Sequence, residues 1–272
     1  MKAKQMLSIL TLLTICLFTN AQQKLHCSRE NCEFEPGEVT YLFGNQVQLR
    51  EGPTTTSKIL KTLAIGTQLV ILEKHENSWR YKGVDSNFYK VGYKGIEGYV
   101  LGGLMAIERK IINEVTHLFG HAKTGNEDYL LIRSLKEDGS FTEKATRLEA
   151  TQFYLSYLGT MGVPDLQGIL LVDYVSEGCG SEGGGIYLFQ QDEQLHQVAR
   201  LSQVSDAGAY YFWEEFVFPD DDHGAAGKIL FKKEKGEYMD KESNWTRITK
   251  ETRELTWANG SLFPDNTTKQ RL

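Results

Sequence analysis

The stretch "VQLREGPTTTSKILKTLAIGT", Val47 to Thr67, decides the fold. Val47 and Leu49 alternate with Gln46, Gln48 and Arg50, the period of two expected of a strand with one buried face. Glu51-Gly52-Pro53 ends that strand: Pro53 lacks an N–H donor and fixes φ, and Gly52 is expected to supply a positive φ. Lys58 to Ala64 forms a second short strand, and Gly66-Thr67 turns the chain again. Working outward, "QLVILEK" from Gln68 reads as the most buried strand of the group, and "NSWRYKG" from Asn77 carries Trp79. "FYKVGYKGIEGYV" from Phe88 gives two strands joined around Lys94-Gly95, ending at Leu101-Gly102-Gly103-Leu104. Short strands and tight turns at this density predict a small curled barrel over residues 39–105. Gly66 and Gly98 are expected at its tight turns or bulges.

The order Val-x-Leu-Arg-x-Gly-Pro (Val47 to Pro53), Ser57-Lys58-Ile59-Leu60, Gly66-Thr67, Tyr89-Lys90-Val91 and Gly95-Ile96-Glu97-Gly98-Tyr99-Val100 resembles a bacterial SH3-like domain over residues 40 to 105. That family usually places an aromatic immediately before the Tyr-Lys-Val strand. Here Trp79 is separated from Tyr89 by "RYKGVDSNF", an insertion, and Phe88 stands in the usual place. The resemblance implies a targeting function: docking onto a cell-wall peptide or glycan, or onto an envelope protein. Trp79, Tyr89, Tyr93 and Tyr99 are the candidate ligand-binding residues, because aromatic rings present flat apolar faces, with polar tips on Trp and Tyr.

The start of the chain fits the same setting. Lys2 and Lys4 precede an apolar run from Met6 to Phe18 and then Thr19-Asn20-Ala21, the pattern of a secretory signal peptide over residues 1–21. The run is shorter than the roughly 20 apolar residues of a membrane span, and no transmembrane segment is expected in the mature chain. Residues 22–38 form a short N-terminal segment. A net charge of -6 argues against a nucleic-acid partner, which would want a basic face. Export places Cys27, Cys32 and Cys179 in an oxidising compartment. Cys27 and Cys32 could close a small loop and leave Cys179 a free thiol, or Cys179 could take one of them; sequence leaves both connectivities open.

Beyond the barrel, Ile107, Ile111, Val115 and Leu118 fall near helical spacing, which predicts a short linker helix over residues 106–122 ending at Gly120. Residues 123–258 then return to the β pattern in "DYLLIRSL", "ATQFYLSYLG", "QGILLVDYV", "GGIYLFQQ", "LHQVARLS", "AYYFWEEFVF" and "KILFKKE". The expected fold class is therefore mainly β: a small SH3-like barrel followed by a larger antiparallel meander, as a sandwich or open barrel. "NWTRITKETRELTW" reads as strand or short helix, and residues 259–272 as a tail.

Five features invite a chemical reading. Cys179 in "SEGCGSEGGG" sits in a glycine loop between strands, without the helix start of a papain-like cysteine, a nucleophile elbow or a phosphate loop. His117 and His121 are four apart, a metal-holding spacing on a helix, but no third ligand is evident and surface histidines are the expectation. "FPDDDHG" from Phe218 lacks the alternating acidic positions of a calcium loop. Glu214 and Glu215 resemble the carboxylate pair of a glycosidase, but neighbours on a strand point to opposite faces. Tyr211, Phe212 and Trp213 are read as core. The expectation is a non-enzymatic, exported binding module with no cofactor and no metal. The rival readings are a cell-wall hydrolase targeted by its SH3-like domain, and a periplasmic inhibitor or scaffold protein.

Overall fold

A computed structural model describes residue 27 and residues 32–176, 183–206, 210–240 and 245–264. These residues form three antiparallel sheets, with one short 3-10 turn at Gly102–Leu104 and no α-helix among them.

The first sheet contains β1 (Val39–Tyr41), β2 (Val47–Arg50), β3 (Ile59–Leu63), β4 (Gln68–Tyr81), β5 (Val84–Tyr93) and β6 (Ile96–Leu101), in the order β1-β4-β5-β6-β2-β3. Val47 and Leu49 are buried and Gln48 is exposed, as the alternation requires. The sheet curls around Leu42, Val47, Leu49, Leu63, Leu69, Ile71, Tyr89, Val91 and Val100, with Phe34 and Met105 at the ends of the core. Burying each of these side chains contributes about 1.5–3 kcal/mol. Closure depends on Gly98. A Cβ there would lie 2.7 Å from the Arg50 carbonyl oxygen and 2.8 Å from Leu49 Cγ, so any side chain would push β6 off β2. Gly66 turns at a φ of +75°, whereas Gly52 does not enter the left-handed region. The loop after β2 is shaped by side chains instead: Ser57 Oγ donates to the Gly52 carbonyl at 2.6 Å, and Arg50 Nη1 to the Ser57 carbonyl at 2.6 Å.

The expected helix over residues 106–122 is replaced by a hairpin. β7 (Glu108–Ile112) and β8 (Val115–Thr124) pair across Asn113 and Glu114, both at positive φ (45° and 69°), the geometry of a tight hairpin turn. Ile111, Ile112, Val115 and Thr116 are β-branched and prefer a pleated surface. The apparent helical spacing arose because β8 is buried on both faces. Phe119 packs toward one neighbour while Leu118 and Ala122 pack toward the other.

With β9 (Glu127–Leu135) and β10 (Phe141–Leu148), these strands form the middle sheet, in the order β10-β9-β8-β7. On one side Leu118, Ala122 and Leu131 meet Phe43 of the barrel. On the other, Phe119, Leu130 and Ile132 meet the third sheet. That sheet is a meander of β11 (Phe153–Gly159), β12 (Gly168–Tyr174), β13 (Gly183–Gln191), β14 (Gln194–Asp206), β15 (Tyr210–Val217), β16 (Ile229–Asp240), β17 (Trp245–Ala258) and β18 (Ser261–Phe263). Leu155, Leu170, Val172, Ile186 and Leu188 pack on the middle sheet. Ile169, Phe189, Phe216, Phe231, Leu255 and Leu262 close a second core. Each strand of the meander pairs with the next, as expected for this half. The stretch left open between strand and helix is β17, and part of the expected tail is β18.

Polar contacts join the layers. The β4–β5 insertion is a long hairpin whose turn reaches the middle sheet: the Lys123 N–H donates to the Lys82 carbonyl at 2.8 Å. Lys82 Nζ lies 3.2 Å from Glu143. Arg133, 9% exposed, donates to Glu143 at 2.7 Å and to the Phe43 carbonyl at 2.5 Å. Its guanidinium stacks between the rings of Phe43 and Phe141, at 4.3 and 4.5 Å.

Candidate binding site

The four aromatics proposed as ligand contacts do not converge. Tyr89 is a core residue, not a contact: it is 2% exposed, Phe34 meets its ring edge-on at 5.5 Å, and burial pushes its phenol up from the ordinary value. The inward face of β5 carries it, on the same alternation as Val91. Tyr99 is half-buried on β6, with His75 against it at 5.9 Å. Trp79 stands 57% exposed on the β4–β5 hairpin, on the insertion.

Tyr93 is the one that lines a hollow, of about 400 Å³, together with Thr67, Gln68, Val70, Gly92 and Lys94. That volume falls within the range of small-ligand sites. Two parts of the barrel build it, and a third reaches the Tyr93 ring. β4 and β5 run antiparallel with Val70 opposite Gly92, and the missing side chain of Gly92 leaves the floor open. The β5–β6 turn holds Lys94 at a φ of 46°, and Lys94 Nζ lies 5.6 Å from the centre of the Tyr93 ring. Lys61, from β3 at the opposite edge of the sheet, reaches the same ring at 5.4 Å. Only the curl of the sheet brings β3 back to the end of β5. Both contacts have cation–π geometry, with each ammonium near the aromatic ring.

Sequence reasoning missed Lys94, Thr67 and Gln68 as lining residues, and Lys61 as a neighbour of the Tyr93 ring. Nothing distinguishes these lysines from the chain's other cations until the barrel closes. The readable signals were the Gly66-Thr67 and Lys94-Gly95 turns that flank the hollow.

The other candidate residues fall elsewhere. Cys27 and Cys32 form a disulfide, which leaves neither for Cys179; Cys179 itself lies outside the described residues. His117 is not a surface residue but fully buried, with Nδ1 2.8 Å from Ser134 Oγ and Nε2 2.9 Å from Gln190 Oε1. Gln190 Nε2 donates to the Ile112 carbonyl, so its Oε1 accepts from His117 Nε2–H and the ring is engaged at both nitrogens. His121 is also largely buried and contacts Asp128 at 2.8 Å. Asp221 closes its own turn, Oδ2 accepting the Phe218 N–H at 2.7 Å.

Glu214 and Glu215 are divided as strand geometry demands. Glu214 is buried, accepts the Ser202 N–H at 3.2 Å and lies 3.6 Å from Lys233, while Glu215 lies 3.9 Å from Lys232. Tyr211, Phe212 and Trp213 are not core. They are half-buried and line a shallow hollow of about 320 Å³ with Ser176, Gly183 and Gln203. The cause is local: the distal ends of β14, β15 and β16 extend past the second core, whose residues in β15 and β16 stop at Phe216 and Phe231.

No curated protein and no solved structure matches the chain. Residues 45–106 match the family described as Bacterial SH3 domain, and this part of the chain, with its curled sheet and its Tyr93 hollow, is a bacterial SH3-like domain.

Proposed function

We propose that this is an exported, non-enzymatic binding protein whose SH3-like barrel docks on a cell-envelope ligand, a peptidoglycan peptide or an envelope protein. The observation that carries the reading is the Tyr93 hollow, a polar and aromatic recess on the matched domain, open to solvent. Export is supported by the basic and apolar start of the sequence and by the Cys27–Cys32 disulfide, which suits an oxidising compartment. The non-enzymatic part is supported by the division of Glu214 and Glu215 between separate lysines, which denies them a shared substrate. Docking would combine an aromatic anchor with hydrogen bonds to an extended chain.

The test is retention of the mature protein on purified peptidoglycan, with a parallel search of periplasmic extract for proteins that the immobilised chain holds. Retention by either route is expected, and Tyr93→Ala weakens it while the fold persists. Failure of the unaltered protein to hold wall or protein overturns the reading.

A further inference from the structure

We propose that the third sheet carries a second site, a shallow hollow on the distal ends of β14 and β15 that binds a neutral glycan chain of β-linked pyranoses. The site is independent of what the barrel docks on. Its volume of about 320 Å³ falls within the range of small-ligand sites. Strand register puts its working side chains on one face. Gln203 stands opposite Trp213 and Ser205 opposite Tyr211 in the antiparallel pair, and directly opposite residues share a face. Gly183 stands opposite Gln203 from the other side. A Cβ on Gly183 would lie 3.4 Å from Ser176 Cβ and 3.7 Å from Gln203 Cβ, so the side chain it lacks leaves space between them. Val204 and Phe212 border the hollow but alternate onto the other face, where Lys233 Nζ lies 5.1 Å from the Phe212 ring. Their side chains are no part of the site.

The Tyr211 ring is held ready. It lies across the backbone of Gly236, its partner on β16, where an added Cβ would sit 2.0 Å from Tyr211 Cε1. Tyr211 Oη donates to Glu234 Oε1 at 2.7 Å, and Lys250 neutralises the same carboxylate at 2.8 Å. Trp213 follows two residues on, about 7 Å further along the same face. That spacing suits successive rings of a chain rather than a single sugar. Gln203 and Ser205 are exposed, and each side chain supplies both a donor and an acceptor. No charged residue lines the hollow among the described residues. A pyranose chain with equatorial substituents matches this set: its bare C–H faces lie on flat aromatic rings, and its hydroxyls meet the amide and the hydroxyl. An ionic ligand would find no counter-charge in the lining. An extended peptide adding to the sheet would need a free strand edge, but β14 and β15 are interior strands, flanked by β13 and β16.

The experiment titrates the full mature chain with two β-1,4-linked tetrasaccharides, one of glucose and one of N-acetylglucosamine, and with a neutral peptide, N-acetylated and amidated Ala-Pro-Ala-Pro. Binding is followed by NMR at the Trp213 indole N–H and the Gln203 side-chain amide. At least one tetrasaccharide is expected to shift both signals. Trp213→Ala is expected to weaken that binding about tenfold or more, as loss of an aromatic anchor does. Gln203→Ala is expected to weaken it about threefold to tenfold, the equivalent of one neutral hydrogen bond. Gln203 is exposed, so the circular dichroism and urea midpoint of Gln203→Ala match the parent, and this variant carries the test if Trp213→Ala fails to fold. Absence of binding by both tetrasaccharides at about 10 mM overturns the inference. Binding that spares the two signals, or that Gln203→Ala leaves unchanged, overturns it as well. So does the neutral peptide binding as tightly as the better tetrasaccharide, which would make the hollow a peptide site.

Discussion

Arg133→Ala tests how the barrel is held to the middle sheet. The substitution removes the hydrogen bond to Glu143 at 2.7 Å and the one to the Phe43 carbonyl at 2.5 Å. It also removes the cation stacked at 4.3 Å on Phe43 and 4.5 Å on Phe141. A hydrogen bond involving a charged group contributes about 1.5–3 kcal/mol net, and a desolvated cation–π contact about 0.5–2 kcal/mol. Glu143 keeps Lys82 at 3.2 Å and is one-third exposed, so its orphaned charge is partly compensated. The expected loss is about 3–5 kcal/mol, within the range for breaking a buried pair from one side. Equilibrium urea unfolding of parent and variant measures it. Arg133→Met, which keeps an apolar chain between the two rings, loses less. The Glu143 carboxyl reports the same event: burial pushes it up, but the hydrogen bonds and charges of Arg133 and Lys82 outweigh this and hold it below the ordinary value of 4.5. Its pairing therefore stabilises the fold above about pH 4.5 and is lost as pH falls through the lower folded value. In Arg133→Ala that carboxyl titrates higher. A loss under about 1 kcal/mol, or an unmoved Glu143 titration, would refute the assignment of Arg133 as the link between layers.

Burial holds His117 below the ordinary imidazole value of 6.5, and His121 likewise despite Asp128. The unfolded chain then binds protons first as pH drops below about 6.5, so the urea midpoint falls on acidification from pH 7.5 to 5, and less steeply in His117→Gln. Gly83 sits at a φ of +79°, where an added Cβ would lie 1.9 Å from the Lys123 carbonyl oxygen. Gly83→Ala is expected to cost about 2 kcal/mol and to speed hydrogen exchange at the Lys123 amide; unchanged exchange would show that the hairpin turn is not seated on β8. Tyr89→Ala should cost about 3–5 kcal/mol, whereas Trp79→Ala should stay within about 0.5 kcal/mol, both read from unfolding midpoints. Reversal of that order would exchange the core and surface roles of the two aromatics.

The barrel was legible because its information is local. The alternation at Val47 and Leu49, the Gly66 turn and the Gly98 crossing each specify backbone shape from neighbours in sequence. The β7–β8 hairpin was hidden because its turn is Asn113-Glu114 rather than a glycine-containing pair, and because burial of β8 from both sides erased the alternation that marks a half-buried strand. β10 was hidden by "TEKAT", whose exposed polar face outweighs Phe141 and Leu148. The site divided in the same way. Tyr93 was found as an aromatic near the barrel signature, but its lysines were not, since Lys61 and Lys94 become neighbours only through closure of the sheet. Separating Tyr89 from Tyr93 required knowing which way the end of β5 points.

Phe43 lies in the barrel's own chain yet spends its ring on Leu118 and Leu131, and its carbonyl on Arg133. An excised barrel would carry that ring into water and leave the guanidinium behind without its acceptor. The domain is therefore a poor cassette for transplantation. The barrel is coupled to the remaining strands through a stiff joint rather than a leash, so the outer sheet keeps one orientation relative to it.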